Sequence, residues 1–294
     1  MTYLVGYSPH KDDTCALSLA VQLARSESDT VHAVTVVPKG WATSAGSRND
    51  GEFATWAHNE GEASAKEALA FLAEQPDIAG AASWVTARSA PAALLEQVEA
   101  LEASILIVGS GVEGPEGKVT VTSKTDRLLH SSDIPVAIAP RGYCPPAGSK
   151  VESVTVAFRD DDQTWKLLDR VAEIARRTGA KLRLVTIALQ HKAMVTSAVR
   201  GFEELVFEEV REQAQAAQDE AVAHLSENGF AAGDIETLIV EGSSWGEAME
   251  QVSWYEGDVL VVGSSSTHPL TQVFLGSSAA KIVRNSPVPV IVVP

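Results

Sequence analysis

The chain contains one long sequence pattern twice. In the first half the apolar run 106–108 precedes Gly109, and a later apolar run precedes Pro140; the matching residues of the second half are Gly263 and Pro294. Both pairs are 154 positions apart (263 − 109 = 294 − 140 = 154). A repeat of this length indicates a duplicated domain rather than a solenoid unit. The chain therefore has two candidate sites, and the differences between the copies are informative.

Length and linker composition place the boundary between the copies. The chain has 294 residues, which fits two domains of the usual size. Residues 142–150 include Pro145 and Pro146 and have the composition of a linker. We expect a first domain at 1–141 and a second at 151–294.

Charge and cysteine content exclude several protein classes. The net charge is −16, and acidic residues outnumber basic ones in both halves, so we expect no nucleic-acid partner. Cys15 and Cys144 have no close cysteine or histidine at metal-ligand spacing, which argues against a disulfide scaffold and structural zinc. The sequence starts without a signal-peptide pattern and has no membrane-spanning run. We expect a soluble, cytoplasmic protein with no membrane partner.

Each copy alternates short Val-, Ile- and Leu-rich runs with longer stretches of helical periodicity. Continuous apolar runs are typical of parallel strands that are covered by helices on both faces. The pattern predicts an α/β fold with two tandem Rossmann-like, doubly wound domains, each with a five-stranded parallel sheet. Among its helices, it predicts one over Trp245–Trp254.

The glycines of the second copy predict a ligand site beyond its fourth strand. Gly263 directly follows the strand, and Gly276 with Ser277 opens the next helix. A glycine there lets backbone N–H groups face a ligand, and the start of a helix favours a phosphate. Ser277 would donate its hydroxyl or cap the helix. The alternative interpretation is a turn and a helix cap without a ligand.

This spacing resembles the universal stress protein family, in tandem form and over both halves. The family motif is a glycine, two residues, a second glycine, nine residues, and a glycine–serine pair before a short helix and a final Val-Pro-Val strand. Gly263, Gly276 and Ser277 match it, whereas Ser266 stands in place of the second glycine. The resemblance implies binding of ATP or AMP, with magnesium accompanying ATP. It also implies that Val136–Ala139 and Val288–Val293 pair to form an internal pseudo-dimer.

The implied nucleotide-binding residues differ between the copies. Adenine is expected near Val36 in the first and Ile187 in the second. The candidates of the second domain are Arg159, Ile187, Gly263, Ser265, Ser266, Gly276, Ser277 and Ser278. The weaker candidates of the first domain are Ser8, Val36, Gly109, Gly111 and Ser123.

The loop of the first copy departs further from the motif. Val112 and Thr122 replace its second and third glycines, and Glu113 and Glu116 would repel a phosphate, although Lys118 offsets part of their charge. The second copy has no acidic residue over 264–275. We therefore expect nucleotide binding in the second domain, with the first domain a structural half.

Both copies lack the aspartate that the family carries after strand one. Ser8 and Arg159 occupy its place. Arg159 has no acceptor atom, so it would either fill the pocket or meet an anion. A shift of one residue would let Asp12 or Asp160 substitute. Asp160, together with its neighbours, would hold magnesium or cap a helix.

These observations favour an adenine-nucleotide sensor in the stress response. The alternative is an interaction scaffold whose sites have decayed, which the missing aspartates favour. An enzyme ranks last, because the histidines form no catalytic set; the resemblance would allow at most slow ATP hydrolysis or self-phosphorylation. We expect no catalytic residues and no resident metal, and leave open protein partners and a further homodimer.

Overall fold

The structure is a computed structural model. It describes residues 1–8, 14–40, 48–111, 113–189, 197–264 and 276–294, with the backbone alone at positions 48–50, 197–206 and 232. The first half contains β1 (Thr2–Tyr7), α1 (Cys15–Glu27), β2 (Thr30–Pro38), α2 (Arg48–Ala73), β3 (Gly80–Ala87), α3 (Ala90–Ala100), β4 (Ala103–Gly109), α4 (Ser123–Leu129) and β5 (Val136–Ala139). The second half contains β6 (Ser153–Ala157), α5 (Asp162–Thr178), β7 (Lys181–Leu189), α6 (Ser197–Glu227), β8 (Ile235–Gly242), α7 (Trp245–Met249), β9 (Asp258–Gly263), α8 (Ser277–Asn285) and β10 (Val290–Val293).

The strands form a single ten-stranded sheet in the order β3-β2-β1-β4-β5-β10-β9-β6-β7-β8. Within each half all neighbouring strands are parallel. The halves join through β5 and β10, which are antiparallel, with Ile291 opposite Ala137. The predicted α/β class and the predicted pairing of the last strands are therefore confirmed.

Helices cover both faces of the sheet, and the core on each face continues from one half into the other. On one face, Leu17 of α1 and Leu168 of α5 belong to the same buried cluster. On the other, Leu129 of α4 and Val283 of α8 share a cluster. Because apolar side chains are buried above and below the sheet, the strands read as continuous apolar runs. The two halves are therefore packed as one body.

The segment between the halves is fastened to α1. Gln22, which is fully buried, donates from Nε2 to the carbonyl of Lys150 at 3.2 Å and accepts from the hydroxyl of Tyr143. The backbone N–H of Val151 donates to Ser26 Oγ at 2.8 Å. Burial raises the pKa of Tyr143 to about 12, so its hydroxyl remains a donor. These bonds fix the start of the second half against the first.

Helix α7 is shorter than predicted. The sequence pattern predicts a helix over Trp245–Trp254, but the structure ends it at Met249. The indole Nε1–H of Trp254 donates to the Met249 carbonyl at 3.1 Å. This contact satisfies a carbonyl at the end of the helix, and the chain turns back toward β9. The predicted helix end is wrong, and a local side-chain hydrogen bond takes the place of the next helical turn.

A buried ion pair lies at the amino ends of the strands in the second half. Arg183 of β7 donates from Nη1 to Asp258 of β9 at 3.3 Å and from Nε to Glu236 of β8 at 2.8 Å. Burial raises the pKa of Asp258 despite the nearby guanidinium. In the first half, the corresponding position of β2 is His32, whose Nε2 lies 2.8 Å from Ser83 Oγ. The copies have therefore diverged at this edge as well.

We predict that Gln22→Ala destabilises the folded chain. The substitution leaves the Lys150 carbonyl and the Tyr143 hydroxyl without their partner, which costs about 2 kcal/mol in the free energy of unfolding. Urea unfolding followed by circular dichroism measures this change. Gln213, on the exposed side of α6, provides the control Gln213→Ala, which should change the free energy by under about 0.5 kcal/mol. Equal effects of the two substitutions would contradict the role given to Gln22.

Candidate functional site

A cavity of about 370 Å³ opens at the carboxyl edge of the sheet in the second half. The ends of β6, β7 and β9 form its floor, and the starts of α5, α7 and α8 form its walls. Parallel strands place their carboxyl ends and the following loops at one edge, where open α/β sheets bind ligands. The lining residues include Phe158, Arg159, Asp161, Thr164, Val185, Ile187, Trp245, Gly263, Ser264, Gly276, Ser277, Ser278 and Ile282.

Six of the eight residues predicted for this domain line the cavity: Arg159, Ile187, Gly263, Gly276, Ser277 and Ser278. The other two, Ser265 and Ser266, lie outside the described residues. Gly263 ends β9, and a Cβ atom at this position would lie 3.3 Å from Leu167 Cδ2. The strand thus ends close to α5, and a glycine avoids this crowding.

The start of α8 faces the cavity, and no side chain in the described parts of the chain caps it. Its N-cap residue is Gly276, with φ −57° and ψ 156°, and no side-chain hydrogen bond caps the helix within the described residues. Ser277 and Ser278 follow and line the cavity. The first N–H groups of a helix have no partner inside the helix and carry its positive dipole end. This wall can therefore bind an anion.

Arg159 lies at the end of β6 and is held by an acidic neighbour. Its Nε–H donates to Asp161 Oδ2 at 2.6 Å. The other carboxylate oxygen of Asp161 accepts from the N–H of Thr164 at 2.8 Å and caps α5. Burial disfavours the charged carboxylate, but the bonds from Thr164 and Arg159 outweigh it and lower the pKa of Asp161. The carboxylate therefore positions the guanidinium at the cavity.

Asp160, the candidate substitute for the missing strand-one aspartate, is bound to a neighbouring side chain. Its Oδ1 accepts from the indole Nε1–H of Trp165 at 2.9 Å, and Asp160 is not among the residues that line the cavity. In this structure the Asp160 carboxylate is therefore bound by the Trp165 indole, and the substitution by Asp160 stays a prediction. Asp12, the equivalent candidate of the first half, lies outside the described residues. The alternative role predicted for this acidic run, helix capping, is confirmed at Asp161.

Besides these polar groups, the floor and walls of the cavity present an apolar surface. Phe158, Ile187 and Ile282 contribute aromatic and aliphatic surface, and Trp245 contributes an indole at the start of α7. The Nζ of Lys281 lies 5.9 Å from the centroid of the Trp245 ring, within cation–π range.

Sequence reasoning missed Trp245 as a site residue. The Ser244 cap, which accepts from the N–H of Glu247 at 3.3 Å, starts the helix at this indole and was the available signal.

The candidates of the first half also lie at the carboxyl edge of its strands. Ser8 follows β1, Val36 lies near the end of β2, and Gly109 ends β4. Ser123 begins α4. Gly111 is packed closely, since a Cβ atom there would lie 2.6 Å from Thr122 Cγ2.

The loop of the first half uses its own polar groups. The N–H of Gly111 donates to the Thr120 carbonyl at 3.3 Å, and the N–H of Thr120 donates to Ser110 Oγ at 3.0 Å. Thr122 caps α4 by accepting from the N–H of Thr125 at 3.2 Å. The N–H groups of Gly111, Thr120 and Thr125 are thus engaged by atoms of this loop and of the helix cap. Val112, which replaces the second glycine, lies outside the described residues.

Within the described parts of the chain, the side chains form no group of three or more that could hold a metal ion. Across the same residues, none of the helices is both long and apolar enough to cross a membrane.

We predict that the Asp161 carboxylate contributes stability that is lost in acid. Because folding lowers its pKa, the charged form stabilises the fold above a pH of about 4, and this contribution disappears as the pH falls below that value. Asn retains the capping oxygen without the charge. Urea unfolding should therefore show a stability difference between wild type and Asp161→Asn that is larger at pH 6 than at about pH 3. A difference independent of pH would refute the prediction.

Comparisons with known proteins agree over the whole chain. The sequence model described as the universal stress protein family matches residues 1–140 and 150–294. Universal stress proteins of Mycobacterium bovis and of Mycobacterium tuberculosis are each 34% identical over 296 residues, covering 100% of this chain and 100% of the relative.

Solved structures show the same fold at low sequence identity. A universal stress protein from Archaeoglobus fulgidus has a TM-score of 0.63 at 16% identity and covers 99% of this chain and 97% of its own. A functionally unknown protein from Pseudomonas aeruginosa has a TM-score of 0.58 at 15% identity, and the match covers 99% of this chain and 92% of that one. The two family matches together span almost the entire sequence, and the chain therefore belongs to the universal stress protein family, in its tandem form.

Proposed function

We propose that this protein binds an adenine nucleotide, ATP or AMP, in the cavity of its second half and acts as a cytoplasmic nucleotide sensor in the stress response. The observation that carries the proposal is the cavity itself, which has a volume of about 370 Å³. In it the start of α8, which no side chain of the described residues caps, faces an apolar surface. Cavities of roughly 300–1,000 Å³ with an apolar lining and a few polar groups are typical of small-molecule sites.

The phosphates would lie against the start of α8. The N–H groups and the positive end of the helix dipole favour negative charge there, and the hydroxyls of Ser277 and Ser278 add donors. The one carboxylate among the described lining residues, that of Asp161, already accepts hydrogen bonds from Arg159 and Thr164. Magnesium would therefore arrive with ATP and be held by its phosphates.

The adenine would lie against the apolar surface of the cavity. Ile187 lies on the floor where the base is expected, and the Trp245 indole offers a flat surface on which a purine can stack. The first half has Ala90 as the first residue of the corresponding helix, also directly after a serine cap. This difference supports a binding site in the second half.

The first half would act as a structural partner rather than a second sensor. Its loop donates Gly111 and Thr120 N–H groups to its own atoms, which leaves fewer donors for a phosphate. The scaffold alternative gains support from this loop and from the core that continues between the halves. Nucleotide binding separates the two hypotheses, because a scaffold with decayed sites binds none.

We predict that Gly276→Asp abolishes binding of ATP and AMP. The φ and ψ angles of Gly276 are open to other residues, so the variant should fold, while its carboxylate repels phosphate at the helix start. Calorimetric titration with magnesium–ATP measures the loss. The matched control is Thr122→Asp at the equivalent cap of α4, which should bind ATP as the wild type does. A folded wild-type protein that binds neither nucleotide, or a loss only in the control, would contradict the proposal.

We predict that Trp245→Ala weakens nucleotide binding by roughly fivefold to tenfold, because a stacking surface for the purine is removed. The control is Tyr255→Ala, which removes an aromatic ring that is 64% exposed and lies before β9, at the opposite edge of the sheet. Titration with AMP compares the variants. Equal affinities in all three proteins would place the base elsewhere.

A further inference from the structure

Among the described residues that line this cavity, Arg159 is the one with a positively charged side chain. It follows β6, which lies between β9 and β7 in the sheet. The phosphates are expected at the start of α8, which follows β9 in sequence, and the base is expected over β7. Resting on the proposed function, a nucleotide bound across the three strands would place its ribose over β6, next to Arg159.

The guanidinium is held in position and still has donors to offer. Its Nε–H donates to Asp161, while the two Nη groups make no hydrogen bond to residues in the described part of the chain. The side chain is 69% exposed, so there is open space beside it at the cavity mouth. The Asp161 carboxylate is itself fixed by the N–H and the hydroxyl of Thr164, at 2.8 and 2.9 Å.

A guanidinium group and a carboxylate group recognise different substituents on a ribose. A carboxylate accepts hydrogen bonds from ribose hydroxyls, whereas arginine only donates and forms its strongest pairs with phosphate and carboxylate oxygens. Two Nη groups can bind two oxygens of one phosphate. The residue at the same place in the first half, Ser8, is uncharged.

We infer that the second-half site recognises an adenine nucleotide with a second phosphate on its ribose, at the 2′ or 3′ oxygen. The 5′-phosphate would bind the start of α8 and the ribose phosphate would bind the Nη groups of Arg159. Two anion-binding elements on neighbouring strands thus select a doubly phosphorylated nucleoside over AMP. The 2′ and 3′ esters share this chemistry.

The experiment compares three ligands by calorimetric titration of the full chain: AMP, adenosine 2′,5′-bisphosphate and adenosine 3′,5′-bisphosphate. We expect at least one bisphosphate to bind about tenfold more tightly than AMP, as an added charge-assisted contact would allow. The bisphosphate that does so identifies the ester position. The preference should decrease as salt is added.

The matched variants are Arg159→Gln and Arg170→Gln, which remove the same charge at the cavity and on the exposed face of α5. Arg159→Gln should bring the affinity ratio of bisphosphate to AMP close to one, and Arg170→Gln should preserve it. Binding of AMP without a bisphosphate preference would overturn this inference and leave the proposed function standing. A preference that survives Arg159→Gln would overturn it too. Absence of binding for all three ligands and for ATP would overturn both this inference and the proposed function.

Discussion

The antiparallel pairing of β5 with β10 holds this molecule together as one body. It joins two five-stranded parallel sheets into a ten-stranded sheet. As a result, the apolar cluster on each face includes residues of both halves. A sheet edge that would otherwise expose unpaired backbone groups is thereby closed within the chain. The linker bonds to Gln22 fix the same arrangement from the side of α1.

Because the halves fold against each other, either one can lose a binding site without losing its structural role. The contrast between Thr122 and Gly276 illustrates this. Thr122 caps α4 with its own hydroxyl, whereas Gly276 offers no side chain to cap α8. A helix start that is already capped is a poorer anion site than one whose N–H groups are free. One substitution at the same position of the repeat thus accompanies a side-chain cap on α4 and, among the described residues, none on α8.

The fold followed from the sequence because strand periodicity is a local signal and the repeat is visible when the two halves are aligned. Val136–Ala139 was predicted with the bounds that the structure has, and the glycines at 263 and 276 line the cavity as their spacing indicated. Other features depend on individual side-chain hydrogen bonds. The Trp254 indole ends α7 at Met249, and the Trp165 indole holds Asp160 away from the cavity. Neither contact leaves a periodic signal, so neither could be read from the sequence.

Hydrogen–deuterium exchange of the full chain, with and without magnesium–ATP, tests most directly whether nucleotide binds in one half only. We expect slower exchange at the start of α8, residues 276–280, and at the end of β6, residues 157–161. Exchange around α4, over residues 119–127, should be unchanged. Protection around α4 instead of α8, or at neither helix with saturating nucleotide, would contradict the account.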